Sequence, residues 1–215
     1  MKMPPLNDAT ADNPRVLLVQ AGASSFAYPF RSHPLGLMYL ASSLRREMPS
    51  SSIRIIDMKV QPLTPADVAG IAVQGGYGII GIGGFSVHAD IMAETARLIR
   101  EKTQGAVAII AGGPHASASP ESLVESGLFD AAATGESEAA FAEFVKRRTI
   151  GDSVSGIEGI ITREAPSSSF HQPLDPNTLP FPAWDLIDFD SYARVSSFSI
   201  MGRRRYMSLF TSRGC

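Results

Sequence analysis

The sequence predicts an α/β protein built on a doubly wound parallel sheet, and three observations support this prediction. Short apolar runs rich in branched residues recur along residues 15–133. Stretches with helical spacing of apolar residues lie between them, and clusters of glycine, proline and serine separate the two kinds of segment. The runs are almost continuously apolar, which is typical of parallel strands covered by helices on both faces.

The elements follow one another in strand–helix order. The first strand covers residues 15–20, and a long loop at 21–34 leads to a helix at 35–47. Thr64 and Pro65 provide a capping residue and a first-turn proline for the second helix. The remaining predicted elements are a second strand at 53–57, a third at 78–83, a helix at 89–102, a fourth strand at 107–111, a loop at 112–119, a helix at 120–126, a fifth strand at 129–133 and a closing helix at 138–148. Five such strands fit the flavodoxin-like order, although the sequence alone does not fix strand order.

The chain changes character after residue 150. Residues 1–13 form a polar leader, and 14–150 form the α/β domain. Residues 151–204 are interpreted as a linker and docking segment, in which 156–162 fit either a further strand or a hairpin and 184–192 carry large apolar side chains suited to docking. We expect residues 205–215 to begin another domain, with a strand at 206–210.

Composition excludes several classes of function. The chain has 215 residues, 44% hydrophobic and 19% charged, and a net charge of −2, so no basic field is available for nucleic acid or an anionic membrane. The longest apolar run, at 79–87, is too short to span a bilayer, and the leader is not a secretory signal. One cysteine cannot form an internal disulfide or a metal site by itself, so a reducing cytoplasm is the expected location. The oligomeric state is not readable.

Three loops at one edge of the predicted sheet are unusual. In doubly wound sheets, ligands bind beyond the carboxyl ends of the strands. The loop after the first strand carries His33, the loop after the third reads Gly83-Gly-Phe-Ser-Val-His88, and the loop after the fourth reads Gly112-Gly-Pro-His115. Glycine pairs allow a ligand to approach the backbone closely, which favours a large flat or elongated ligand. The alternative is that the glycines only turn the chain and the histidines face water.

Other ligand and catalytic motifs fit poorly. Gly81-x-Gly83 is followed by Ser86 where the dinucleotide fingerprint needs its third glycine, and no P-loop is present. The segment Gly84-x-Ser86-x-His88 lacks the last glycine of a hydrolase nucleophile elbow. Ser86 is therefore interpreted as a hydrogen-bonding residue and not as a nucleophile.

Five motifs in order resemble the cobalamin-binding domains of cobalamin-dependent (class B) radical S-adenosylmethionine (SAM) enzymes. They are Pro34-Leu-Gly-Leu-Met-Tyr-Leu-Ala41, Gly112-Gly-Pro-His-Ala116, Gly135-Glu-Ser-Glu138, Leu179-Pro-Phe-Pro-Ala-Trp-Asp185 and Ser212-Arg-Gly-Cys215. The resemblance implies that the detached nucleotide tail of cobalamin (vitamin B12) enters the sheet beside these loops. It also implies which residues contact the cofactor: Gly83, Gly84, Ser86 and Val87 along the tail, with Gly112 and Gly113 beside it. Gly135 and Glu136 are further candidate cofactor contacts. His115 is a candidate contact of the corrin amides or of its own loop backbone, and His88 of the corrin or of the helix that follows it as a cap.

Two residues are candidate metal ligands through the same resemblance. Many cobalamin domains carry Asp-x-His-x-x-Gly, in which the histidine ligates cobalt and the aspartate orients it. This chain has His33 and Gly36, but Arg31 stands in place of the aspartate, so a loop histidine without cobalt is favoured. Cys215 would be the first cysteine of a Cys-x-x-x-Cys-x-x-Cys motif that holds a [4Fe–4S] cluster.

The resemblance implies a cobalamin-binding module of a radical SAM enzyme, most often a methyltransferase. The catalytic barrel, the iron–sulfur cluster and the SAM site would belong to a following domain, so this chain would be inactive alone. Two alternatives stay open: a stand-alone corrinoid carrier, whose usual helical cap is missing, and a flavodoxin-like signalling receiver. A receiver needs an aspartate after the third strand, where Gly83 and Gly84 stand.

Overall fold

The computed structural model describes residues 13–23, 32–166, 175–193 and 206–213. In this part of the chain, strands and helices alternate from the first strand to the sixth. The strands are β1 (Arg15–Gln20), β2 (Ser52–Asp57), β3 (Ile79–Gly83), β4 (Ala108–Gly112), β5 (Ala131–Ala133) and β6 (Ile160–Thr162). The helices are α1 (Leu35–Glu47), α2 (Pro65–Gln74), α3 (Ala89–Thr103), α4 (Gly113–Ala118), α5 (Pro120–Glu125), α6 (Glu138–Thr149) and α7 (Phe189–Ala193). Short 3₁₀ turns lie at Ser86–His88, Pro176–Thr178 and Trp184–Leu186.

The six strands form one sheet in the order β2-β1-β3-β4-β5-β6. Strands β1 to β5 are parallel, and β6 pairs antiparallel with β5. This is the flavodoxin-like order with an added edge strand, so the predicted fold class is confirmed. The segment that fitted either a strand or a hairpin supplies β6, and the sheet therefore continues beyond residue 150.

Helices cover both faces of the sheet. On the α1/α6 face, buried side chains of α1 and α6 pack on Val16, Leu18, Ile79 and Ile110. On the α2/α3 face, buried side chains of α2 and α3 pack on alternate residues of the same strands, among them Leu17, Val19, Ile80 and Ile82. Because successive strand residues point to opposite faces, the apolar runs supply both cores at once.

Two local predictions are wrong. Residues 113–118, predicted as loop, form the short helix α4, because Pro114 is compatible with a first helical turn and the alanines and serines that follow form the rest. Residues 206–210 do not form the expected strand; they lie beside α1 without joining a ladder, and Phe210 stacks on Tyr39. The fifth strand is also shorter than predicted.

The segment predicted to dock contacts the α/β domain at several points. The Ala183 N–H donates to the Met38 carbonyl at 3.1 Å, and Arg45 donates to both carboxylate oxygens of Asp185 at 2.9 and 2.8 Å. The Tyr192 hydroxyl donates to Asp57 Oδ2 at 3.0 Å in a buried contact. Burial, with Asp57 beside it, raises the pKa of Tyr192, which keeps that hydroxyl protonated as a donor.

Candidate functional site

A cavity of about 620 Å³ opens at the carboxyl edge of the sheet. It lies where β1, β3, β4 and β5 end, next to the starts of α1 and α6, and residues 208–213 form part of its wall. Strand order reverses between β1 and β3, so the cavity occupies the position at which doubly wound folds bind ligands. Cavities of this size hold small organic ligands or part of a larger one.

The floor of the cavity is apolar and lies on the α1/α6 face. Leu18, Ile110 and Phe141 line it together with Gly81 of β3. A Cβ atom at Gly81 would lie 2.9 Å from Leu18 Cδ2 and 3.9 Å from Phe141 Cε2, so this glycine keeps the floor open. These four residues were not predicted as a group from the sequence. The available signal was glycine at alternate positions, 81 and 83, of a strand otherwise made of isoleucine.

The two predicted glycine pairs lie against each other at the cavity. Gly83 is paired in register with Gly112, and the His115 N–H donates to the Gly84 carbonyl at 3.1 Å. Gly113 has a φ of +79°, and a Cβ there would lie 3.2 Å from Gly84 N, so the backbone itself requires glycine. No atom lies within 4 Å of a Cβ built at Gly112, which faces open space.

Four predicted contact residues lie beside the cavity and not in its lining: Ser86, Val87, His88 and His115. Ser86, Val87 and His88 form the 3₁₀ turn after β3, and Val87 is 76% exposed. The Ser86 hydroxyl and His115 Nδ1 are 3.2 Å apart and bridge the loops after β3 and β4. Burial and the nearby Lys59 lower the pKa of His88. A larger ligand that projects from the cavity would meet this turn.

The acidic motif brings two carboxylates to the wall. Gly135, Glu136 and Glu138 line the cavity, and Gly135 has a φ of +64° and donates its N–H to Ser117 Oγ at 3.0 Å. Glu138 Oε1 lies 2.6 Å from Arg213 Nη1. Two of the sequence motifs that suggested the resemblance are thus in direct contact.

His33 lies at the cavity inside a cluster of aromatic rings. Its imidazole is 4% exposed, and its Nδ1 is 3.2 Å from Ser208 Oγ. Burial lowers the pKa of His33, so the ring is neutral at pH 7. The surrounding rings have centroids 4.6 to 5.6 Å away: Trp184, Phe189, Tyr192 and Tyr206.

The described part of the chain contains no cluster of side chains suited to bind a metal ion. No group of three or more histidine, cysteine, aspartate or glutamate side chains there has an arrangement that could hold a metal ion. Cys215 and Arg31 fall outside the described residues. None of the helices that the structure describes has the length and apolar character needed to cross a bilayer.

Comparisons with known proteins find a family and a relative that match this chain. Residues 26–145 match the B12 binding domain family. The chain is 33% identical over 190 residues to an uncharacterized methyltransferase of Pyrococcus horikoshii, a match that spans 85% of this chain and 38% of that protein.

Two solved structures share the fold. One is the cobalamin-dependent S-adenosylmethionine radical enzyme OxsB with aqua-cobalamin and S-adenosylmethionine bound, with a TM-score of 0.70 and 18% identity over 86% of this chain and 26% of that one. The other is the radical S-adenosylmethionine methyltransferase TsrM from Kitasatospora setae with cobalamin and a [4Fe–4S] cluster bound, with a TM-score of 0.52 and 19% identity over 70% of this chain and 29% of that one. The chain therefore spans about a quarter to two fifths of these proteins.

Proposed function

Because this chain belongs to the B12 binding domain family, we propose that it binds cobalamin at the carboxyl edge of its sheet, with the nucleotide tail in the cavity on the α1/α6 face. The observation that carries the proposal is the glycine-floored cavity, which the matched residues 26–145 largely build. The remainder of the wall comes from residues 208–213.

The chemistry of the cavity fits the cofactor. The nucleotide tail ends in a flat, largely apolar base, and Leu18, Gly81, Ile110 and Phe141 offer an apolar floor without a side chain at position 81. Burying such a base stabilises the complex in proportion to the apolar area removed from water. Gly112 leaves the entrance open above that floor. The corrin ring would then lie at the mouth, near Phe85 and the turn at Ser86–His88.

His33 is assigned to packing and not to cobalt ligation. A metal-binding histidine commonly donates its second ring N–H to a carboxylate, a backbone carbonyl or water, which orients the ring and raises its basicity. In this chain Nδ1 faces the hydroxyl of Ser208, and aromatic rings of the docking segment surround the imidazole. These contacts support a role in holding that segment against the domain.

We further propose that the chain is the cobalamin module of a radical SAM methyltransferase. The Ser212-Arg-Gly-Cys215 motif and the two structural relatives support this extension. When bound, cobalamin supplies a cobalt centre that can carry a methyl group, and the protein's own residues hold and orient it. The radical chemistry, the SAM site and the cluster would belong to residues after Cys215. We expect the coding sequence to continue with cysteines about four and seven residues beyond Cys215. The cytoplasmic location of the protein stays a prediction.

The direct test is a titration of the purified chain with hydroxocobalamin, followed by absorbance and gel filtration. We expect cobalamin to co-elute with the protein at concentrations of tens of micromolar, roughly the range of a weak specific site, with an absorbance spectrum of cobalamin whose base is displaced from cobalt. Complete separation of cobalamin from the protein would contradict the proposal. A stand-alone corrinoid carrier would also bind, and the codons after Cys215 distinguish the two.

A further inference from the structure

A shielded ion pair joins the C-terminal segment to the wall of the cavity. Arg213 Nη1 lies 2.6 Å from Glu138 Oε1 and 3.9 Å from Glu136 Oε2, and the guanidinium carbon is 4.6 Å from the centre of the Tyr39 ring. The side chains of Arg213 and Glu138 are only 11% and 6% exposed. Removing one partner of such a pair leaves the other charge buried without compensation, which costs far more than breaking a surface pair.

This pair anchors the end of the segment 206–213, which we call the C-terminal arm, and contacts of Tyr206 and Ser208 with His33 hold its beginning. The arm places Ser208, Leu209 and Phe210 in the cavity wall. Leu209 and Phe210 are still 66% and 55% exposed, so apolar burial holds the arm weakly. Without Arg213 on Glu138, the end of the arm would lose the ion pair that holds it against α6.

The second oxygen of Glu138 has no hydrogen-bond partner in the part of the chain that the structure describes. Glu138 Oε2 is buried, and no described residue donates a hydrogen bond to it. A buried carboxylate oxygen without a donor costs free energy, and a small shift of the Glu138 side chain, which lines the cavity, would let a ligand N–H group reach Oε2 and recover that cost. The rim of cobalamin carries primary amides, which are donors of this kind.

We infer that Glu138 and Arg213 are a positioning pair that couples cofactor binding to docking of the C-terminal arm. The inference rests on the proposed cobalamin function. One oxygen of Glu138 holds the arm, and the other receives an amide of the cofactor. Because coupling between two binding events is reciprocal, cobalamin stabilises the docked arm as much as the docked arm stabilises bound cobalamin.

Hydrogen exchange measured by mass spectrometry, with and without hydroxocobalamin, tests this coupling. In the wild-type chain, cobalamin should slow exchange in peptides that cover 206–213. In Glu138→Ala and in Arg213→Met, which keeps the length of the side chain but not its charge, we expect the affinity for cobalamin to fall about tenfold, within the typical range of such couplings. In these variants cobalamin should no longer slow hydrogen exchange in the arm, while exchange in β1 and β3 stays as in the wild type. Arg213→Lys, which retains the cation, should recover part of the protection.

A matched control lies on the same helix. Glu143 forms a partly exposed pair with Arg147 at 2.6 Å, so Glu143→Ala removes a carboxylate of α6 whose partner lies on the same helix and should behave like the wild type. If Glu138→Ala and Arg213→Met bind cobalamin as tightly as this control, with arm exchange unchanged, the coupling is refuted and the proposed function stands. If the wild type binds no cobalamin, the coupling and the proposed function are both contradicted. If Glu138→Ala fails to fold by circular dichroism, Arg213→Met decides, because its side chain lies in the arm and outside the core.

Discussion

Strand β3 presents two different faces to the rest of the protein. Toward the α2/α3 face it places Ile80 and Ile82, which are fully packed. Toward the α1/α6 face it places Ile79 and then two residues without side chains, Gly81 and Gly83. One face is therefore filled to the end of the strand, and the other becomes a cavity over its last three residues. Space for a ligand therefore exists on the α1/α6 face because β3 has glycines there, while the packed isoleucines on the α2/α3 face stabilise the fold.

The largest expected effect is on the filled face. Ile82→Ala should lower the free energy of unfolding by about 2–5 kcal/mol, the usual range for truncating a buried aliphatic side chain. The affinity of the folded protein for cobalamin should stay near the wild-type value, because the Ile82 side chain is buried on the α2/α3 face, although the residue borders the cavity on its other side. Urea denaturation and a cobalamin titration on the same sample measure the two effects. An equally large loss of affinity would show that the two faces are not independent.

A substitution at Gly112 is expected to lower the affinity for cobalamin and to leave the stability of the protein nearly unchanged. Gly112→Val places a branched side chain in open space at the cavity, where no protein atom lies within 4 Å of the new Cβ. We expect an affinity loss of about tenfold to a hundredfold, equivalent to the roughly 1–3 kcal/mol typical of overpacking. The melting temperature of the cofactor-free protein should change little, since the backbone at Gly112 is extended. Wild-type affinity in the folded variant would place the ligand elsewhere.

Gly113 is a poorer position for that test. Its φ of +79° and the short distance from a built Cβ to Gly84 N mean that any side chain strains the loop itself. A loss of binding in Gly113→Val would not separate ligand contact from local distortion. Gly112→Val separates ligand contact from local distortion, because no described atom lies within 4 Å of the new Cβ.

The smallest effect is expected at His33. His33→Ala should leave the absorbance spectrum of bound cobalamin nearly unchanged, because packing against Trp184 and Tyr192 and not cobalt ligation accounts for the position of the ring. The spectrum of the folded variant is compared with that of the wild type at saturating cofactor. A clear band shift, or loss of nitrogen superhyperfine splitting in the Co(II) EPR signal, would identify His33 as a lower ligand.

Local patterns explain why the fold could be predicted. The apolar runs that become β1 to β4 and the capping box at Thr64 and Asp67 are short-range signals, and the structure contains all of them. Helix α4 was missed because Gly112-Gly-Pro is a strong loop signal over three residues, and the hydrogen bond from the His115 N–H to the Gly84 carbonyl, which joins it to the next loop, cannot be seen in the local sequence.

The candidate site was only partly predictable because it depends on contacts between distant residues. The glycine pairs could be recognised from their position after strands. The role of Gly81 depends on Leu18 and Phe141 on either side of it, and the Glu138–Arg213 pair joins residues 75 positions apart. Such pairings arise only when the chain folds, so the sequence indicated the edge of the sheet but not the depth of the cavity.

The most direct test of the central claim compares cobalamin with cobinamide, a corrinoid that lacks the nucleotide tail. If the cavity on the α1/α6 face holds the tail, the chain should bind cobalamin at least about tenfold more tightly than cobinamide, because loss of the buried base removes more than 1 kcal/mol of apolar burial. Gly112→Val should reduce that preference. Equal affinities of the wild-type chain for the two corrinoids would contradict the account, since the cavity would then contribute nothing to recognition of the cofactor.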